Sequence, residues 1–361
     1  MLSRRDFGWA WGGLLLAADA QAQEPVATQQ LALAWRDPQG RDWVGRLQAD
    51  WAGGRLEILS RWALPSRAHG LLLDGQGGFY AVAARAGDWL LRVDAQAQPH
   101  WLRQPGAERF NGHLLLGPAG LYATETDPRI DQACLAVYDP NTLALRQRWT
   151  LPGRDAHQFT LDAQGRLLLA LGGIPRQPDG NKRALDDMAP ALLRLDAQAG
   201  RVLDRWQLDD PRLSLRHLAW SEGGSQRLLG IALQAEHDTP ERRREAPVLA
   251  LFDGEQLSLP IRAADGAGYA GDICAAPGGG FVLSAQKAGR GLLWHPQAAE
   301  RWIRLADLSE ICALAAWQDR LGRGVVMLAQ RGLARWHNRL GQQMLAWPEP
   351  LTPDNHALLL A

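Results

Sequence analysis

Five of the nine histidines recur at one place in the chain: His69, His113, His157, His217 and His356 each open a short apolar run. Asp272 opens a run of the same length, and Glu310 opens a weaker copy. A neutral imidazole offers a lone pair that suits zinc, copper, iron or nickel, and an added carboxylate leans the choice towards iron, zinc or manganese. These seven residues lie far apart in sequence and form no local ligand motif of the HExxH kind. A metal reading therefore requires an architecture that brings equivalent positions to one point. The competing reading is structural, with each histidine bonding the backbone of its neighbour. No GxSxG element, P-loop or dinucleotide fingerprint is present, and no nucleophile accompanies the imidazoles, so no catalytic residue is assigned.

The elements that would position these residues form an internal repeat. The first-strand segments are His69-Gly70-Leu71-Leu72-Leu73-Asp74, His113-Leu114-Leu115-Leu116, His157-Gln158-Phe159-Thr160-Leu161-Asp162 and His217-Leu218-Ala219-Trp220. Asp272-Ile273-Cys274-Ala275-Ala276-Pro277, Glu310-Ile311-Cys312-Ala313-Leu314 and His356-Ala357-Leu358-Leu359-Leu360 continue the series. A Gly-rich turn and a second apolar strand follow in each full unit, as in Gly78–Ala83, Gly120–Thr124 and Gly280–Ser284. Third strands end at Asp94, Asp139, Asp196 and Asp253, with His295 and His337 at that position in two other units. Fourth strands carry Trp62, Trp101, Trp149, Trp206, Trp302 and Trp347, which accounts for much of an unusual total of sixteen tryptophans. Repeated four-stranded units of this size are the signature of propeller blades.

The expected fold is therefore all-β, a seven-bladed β-propeller spanning residues 23–361 as a single domain. Leu31–Trp35, Trp43–Leu47 and Arg61–Leu64 supply only three strands of the first blade, and the run from His356 to Ala361 supplies the innermost fourth. That closure leaves no open sheet edge. The innermost strands line the central channel, so the seven repeat-opening residues should ring its top. The long loops Glu125–Gln132, Gly172–Pro190 and Ala235–Ala246 should lie above them. Glu125 and Asp127 could reach the ring from there, and Asp186-Asp187 could add an outer ligand or cap a helix. His100 and His237 read as solvated loop residues, and Glu241-Arg242-Arg243-Arg244-Glu245 as a solvated loop.

Lys and Arg together number 39, as do Asp and Glu, so no nucleic-acid footprint is expected. Ser3-Arg4-Arg5-Asp6-Phe7 matches the twin-arginine export pattern, and the apolar run Gly8–Ala18 precedes two small-x-small cleavage candidates. Residues 1–22 are accordingly read as a signal peptide and the remainder as periplasmic, with no stable membrane span. Cys134, Cys274 and Cys312 have no CxxC spacing and read as buried apolar thiols rather than as a disulfide framework.

Five segments, Arg67-Ala68-His69-Gly70, Tyr122–Asp127, Leu171-Gly172-Gly173-Ile174, Leu185–Pro190 and Leu215-Arg216-His217-Leu218, resemble in their order the bacterial domain-of-unknown-function family 1513. The resemblance covers nearly the whole mature chain and implies a YVTN or WD40-like propeller with a twin-arginine leader. It also implies periplasmic iron-uptake or redox proteins as partners, because members are often encoded beside imelysin-like and dihaem oxidoreductase-like proteins. Relatives tend to show Pro-His-Glu where this chain has Ala156-His157-Gln158, so a carboxylate at that point is in doubt.

Two functional expectations follow. In the first, the ring binds a transition metal (iron, zinc or copper), in the service of iron acquisition. In the second, the propeller is a non-catalytic scaffold whose broad top face docks a periplasmic partner.

Overall fold

The computed structural model describes residues 27–360 except 225–226, 262–263, 320–321 and 338–339. The leader read at residues 1–22 lies outside the described residues. Seven four-stranded antiparallel sheets form the molecule. From the inside outward, blade 1 is Thr352–Leu360, Thr28–Arg36, Asp42–Asp50 and Arg55–Leu64. Blades 2 to 7 follow in chain order, with innermost strands Ala68–Leu73, Arg109–Gly117, Ala156–Leu161, Leu213–Trp220, Ile273–Ala275 and Ala313–Gln318. Each innermost strand contacts the next, and the last returns to Thr352–Leu360. The propeller is closed as expected, by pairing of the C-terminal strand with Thr28–Arg36.

Why the repeat folds this way is visible in how the apolar side chains divide. Successive residues of a strand point to opposite faces. In blade 2 Phe79, Ala81 and Ala83 pack towards blade 1, while Tyr80 and Val82 pack towards blade 3. Both faces of an inner strand are thus buried, which is why these strands read as unbroken apolar runs. The core is divided into seven layers, each shared by two neighbouring blades. Trp62, Trp149, Trp206, Trp302 and Trp347 all pack into these layers, whereas Trp101 is exposed and meets Trp89 edge-on.

The recurring aspartates are turn devices. Asp94 Oδ1 accepts the backbone N–H groups of Gln96 and Gln98, Asp139 those of Asn141 and Thr142, and Asp196 those of Gln198 and Ala199. His295 does the same work with Nδ1, which accepts the N–H of Gln297. All three cysteines are free and buried. Among the described residues no helix is long and apolar enough to cross a membrane.

Candidate metal centre

The five repeated histidines sit in β-bulges. In blade 2 Ala68 faces Ala83 and Leu71 faces Ala81, so His69 and Gly70 together oppose the single residue Val82. Likewise His157 and Gln158 oppose Ala170, and Arg216 and His217 oppose Ala232. Asn111, Gly112 and His113 oppose Thr124, and Asp354, Asn355 and His356 oppose Ala34. A bulge leaves its extra residues unpaired and re-aims their side chains. The innermost strands of blades 6 and 7 pair without a bulge, and neither carries a histidine.

The bulges turn the five rings onto the axis. Neighbouring imidazole centroids are 4.8 Å apart from His356 to His69, 4.8 Å from His69 to His113, and 4.3 Å from His113 to His157. The circuit closes with 4.7 Å from His157 to His217 and 4.7 Å from His217 to His356. Glycine makes this approach feasible. Gly112 has φ +96°, and a Cβ there would lie 2.7 Å from Cδ2 of the His69 ring.

His69, His113, His217 and His356 each present one ring nitrogen, and these four atoms lie within 4.8 Å of one another. Four nitrogens about 2 Å from one tetrahedral ion are roughly 3.4 Å apart, so seating an ion requires the rings to draw in slightly from this arrangement. His157 is the fifth member, its Nε2 3.2 Å from Nε2 of His217.

The electronic state of the ring favours a cation. Burial, followed by neighbouring imidazoles, holds His113, His157 and His217 well below the usual histidine pKa. Burial also brings His69 down to about 4, against the opposing pull of Asp354. These rings are neutral at pH 7, with lone pairs available. Nε2 of His69, His113 and His356 and Nδ1 of His157 and His217 are buried without a hydrogen-bond partner. An orphaned buried polar atom costs about 1–3 kcal/mol, so several in one place require compensation.

Two carboxylates stand behind the ring. Asp354 Oδ1 is 3.7 Å from His69 Nδ1, and Asp272 Oδ2 is 3.6 Å from His356 Nδ1. Both carboxylates lie on the Nδ1 side of these rings, outside direct hydrogen-bond distance, and leave Nε2 on the opposite side. Burial alone would raise the Asp354 carboxyl, but His69 and Arg67 hold it well below the usual carboxylate range. Asp272, expected in the ring, instead accepts the backbone N–H groups of Ile273 and Leu314.

The other sequence candidates lie elsewhere. Glu310 is exposed in a turn with φ +54°, where it accepts from Gln286; the blade 7 strand begins only at Ala313. Cys312 is buried, its Sγ near the carbonyl oxygens of Leu328 and Pro353. Glu125 is buried between Tyr138, Gln104 and Arg148 in the flank of blade 3, and Asp127 pairs with Arg129. Asp186 and Asp187 lie in a short 3-10 turn, where Asp186 pairs with Arg212. His100 is exposed as expected, but His237 is buried against Asp210, a correction to its reading as solvated. Glu241–Glu245 belongs to a short exposed helix rather than a loop.

Sequence reasoning passed over Asp354. It lies in the bulge before His356, where the two-residue alternation of a regular strand does not hold, so the repeat pattern leaves it unmarked.

Solved structures of like fold cover most of the chain. A putative 6-phosphogluconolactonase from Bacteroides fragilis is 10% identical and has a TM-score of 0.61, with 94% of this chain and 100% of that one covered. Virginiamycin B lyase from Staphylococcus aureus is 12% identical with a TM-score of 0.55, covering 84% and 95%. A functionally unknown protein from Desulfotomaculum acetoxidans is 11% identical with a TM-score of 0.56, covering 91% and 99%. At these identities the likeness is one of fold. No curated protein matches the chain in sequence. The family model described as a protein of unknown function, DUF1513, matches residues 62–360, and the chain belongs to that family.

Proposed function

We propose that this member of the domain-of-unknown-function family 1513 binds one transition-metal ion on the propeller axis through His69, His113, His217 and His356. The single observation that carries the reading is the set of four imidazoles on the axis, each with one ring nitrogen within 4.8 Å of the other three and each with a buried nitrogen that has no hydrogen-bond partner. His157 is poised as a fifth donor or as the partner that orients His217. Asp354 and Asp272 act from behind, on His69 and His356. An all-imidazole set suits iron, zinc, copper or nickel. When bound, the ion would supply a Lewis-acidic centre held by these four histidines.

The same reading places the chain in the periplasm and gives it a role in iron handling. Support comes from the twin-arginine pattern at Ser3–Phe7, since that route exports proteins already folded. Cytoplasmic loading lets availability, rather than the fixed affinity order that favours copper, decide which ion fills the ring. The large apolar side chains left exposed, such as Ile130, Trp101 and Met344, are scattered over several blades and do not single out a docking face for the scaffold alternative.

The test is elemental analysis of protein recovered from the periplasm after native export, beside His113→Ala prepared identically. The expected result is about one equivalent of a single transition metal in the native chain, and a clear loss of that occupancy in the variant. Absence of any transition metal, with a periplasmic partner captured by crosslinking, would overturn the reading in favour of the scaffold.

A further inference from the structure

Outside the imidazole ring the channel opens into a cavity of about 550 Å³ whose wall includes Arg67, Arg85, Arg176 and Arg216. Its floor is formed by His69, His157 and His217. The four arginines come from separate places. Arg67 precedes the blade 2 inner strand, Arg85 follows the second strand of that blade, Arg176 lies in the long blade 4 loop, and Arg216 lies in the blade 5 bulge.

Their positive charge is under-compensated. Arg67 has its own carboxylate, Asp354, which it grips through Nε and Nη2 at 2.5 and 2.9 Å. The other three share one fully buried carboxylate, Asp155. Arg85 packs against it, Arg216 Nη1 is 3.0 Å from Oδ2, and Arg176 Nε is 3.7 Å from Oδ1. Two further acids lie near but form no side-chain ion pair with these three: Glu236 is taken by Lys182 and Gln234, and Asp131 accepts the backbone N–H of Arg176 and faces Arg154 and Arg183. Asp179, also on the wall, accepts from Asn181. Nε of Arg176 and of Arg216 are buried with no hydrogen-bond partner. Burial and the like charge of its neighbours lower the Arg85 guanidinium, and the same causes bring Arg176 down to about 10.

A guanidinium is a planar fork suited to bidentate recognition of carboxylate or phosphate, and it stays charged when buried. We propose that this funnel is a binding site for a small dianion, a phosphate or dicarboxylate group, held by Arg85, Arg176 and Arg216 above the imidazole ring. Asp155 serves as the resident anion that keeps the three cations together when the site is empty. The inference goes beyond the metal reading and does not depend on it.

The test is calorimetric titration of the metal-free, chelator-dialysed chain with inorganic phosphate and, separately, with succinate. Saturable one-to-one binding of at least one probe is expected, and the stronger of the two separates a phosphoryl ligand from a carboxylate ligand. Arg176→Gln, in a loop, should weaken that binding by about tenfold. Asp155→Asn should strengthen it by about tenfold, because Asn tolerates the left-handed φ of +59° at that position while releasing the three guanidiniums. Absence of binding by both probes to the native chain, or an affinity unmoved by Arg176→Gln, would overturn the proposal whether or not Asp155→Asn folds.

Discussion

A buried imidazole that must stay neutral makes folding sensitive to acid. His69, His113, His157 and His217 all have folded-state pKa values below the ordinary value near 6.5. Above that value the unfolded chain carries no extra protons at these groups, and their full contribution to stability is present. As pH falls below about 6.5 the unfolded state takes up protons that the folded state refuses, and stability drops. For His69 the loss continues down to about 4. Each such group contributes a slope of up to about 1.4 kcal/mol per pH unit. The urea midpoint of the metal-free chain should therefore fall steeply between about pH 6.5 and 4, with a shallower fall for His113→Leu; equal slopes would show that the ring does not govern acid stability. The residues of the ring were legible because their repeat position gave them away. Asp354 and the arginines of the funnel were not, because they belong to the loop register and to the bulges, which leave no compositional mark.

At the scale of the element, the bulge is what separates an axial histidine from an interstrand one. A regular strand would pair every residue and send alternate side chains into the two apolar layers. Sequence patterning locates the strand but not the one or two surplus residues, so the five bulges could not be foreseen. The hairpin turns were better marked, since Asp with two backbone donors following it has a local cause. Gly112 tests the importance of the close approach. Gly112→Ala adds left-handed strain of about 1–2 kcal/mol and a clash with the His69 ring worth about 1–3 kcal/mol more. Gly165→Ala, at φ +73° with no atom within 4 Å, should cost only the strain. Chemical denaturation of the two variants should show Gly112→Ala to be the less stable, and it should also bind metal more weakly; equal losses would remove the packing argument.

The whole molecule depends on closing the circle. Seven shared core layers mean that no blade has a core of its own, and the layers either side of blade 1 complete the ring. The need for closure was readable from the first blade's missing strand, whereas the unequal contributions of the blades to the axis were not. Blades 6 and 7 lack the bulge, so a seven-membered ring of ligands becomes a five-membered circuit of imidazoles. A chain ending at Pro350 loses the strand Thr352–Leu360 and exposes Thr28–Arg36 as a free edge. Thermal unfolding followed by circular dichroism should lose its cooperativity in that variant; an unchanged sharp transition would mean that closure is dispensable. Anomalous diffraction from crystals grown after metal loading, recorded at the edge of the bound element, locates the ion directly. The expected map has one strong peak on the axis within about 2.3 Å of nitrogens of His69, His113, His217 and His356. A peak elsewhere, or none on the axis of a fully loaded crystal, would show that the imidazole ring is not the metal site.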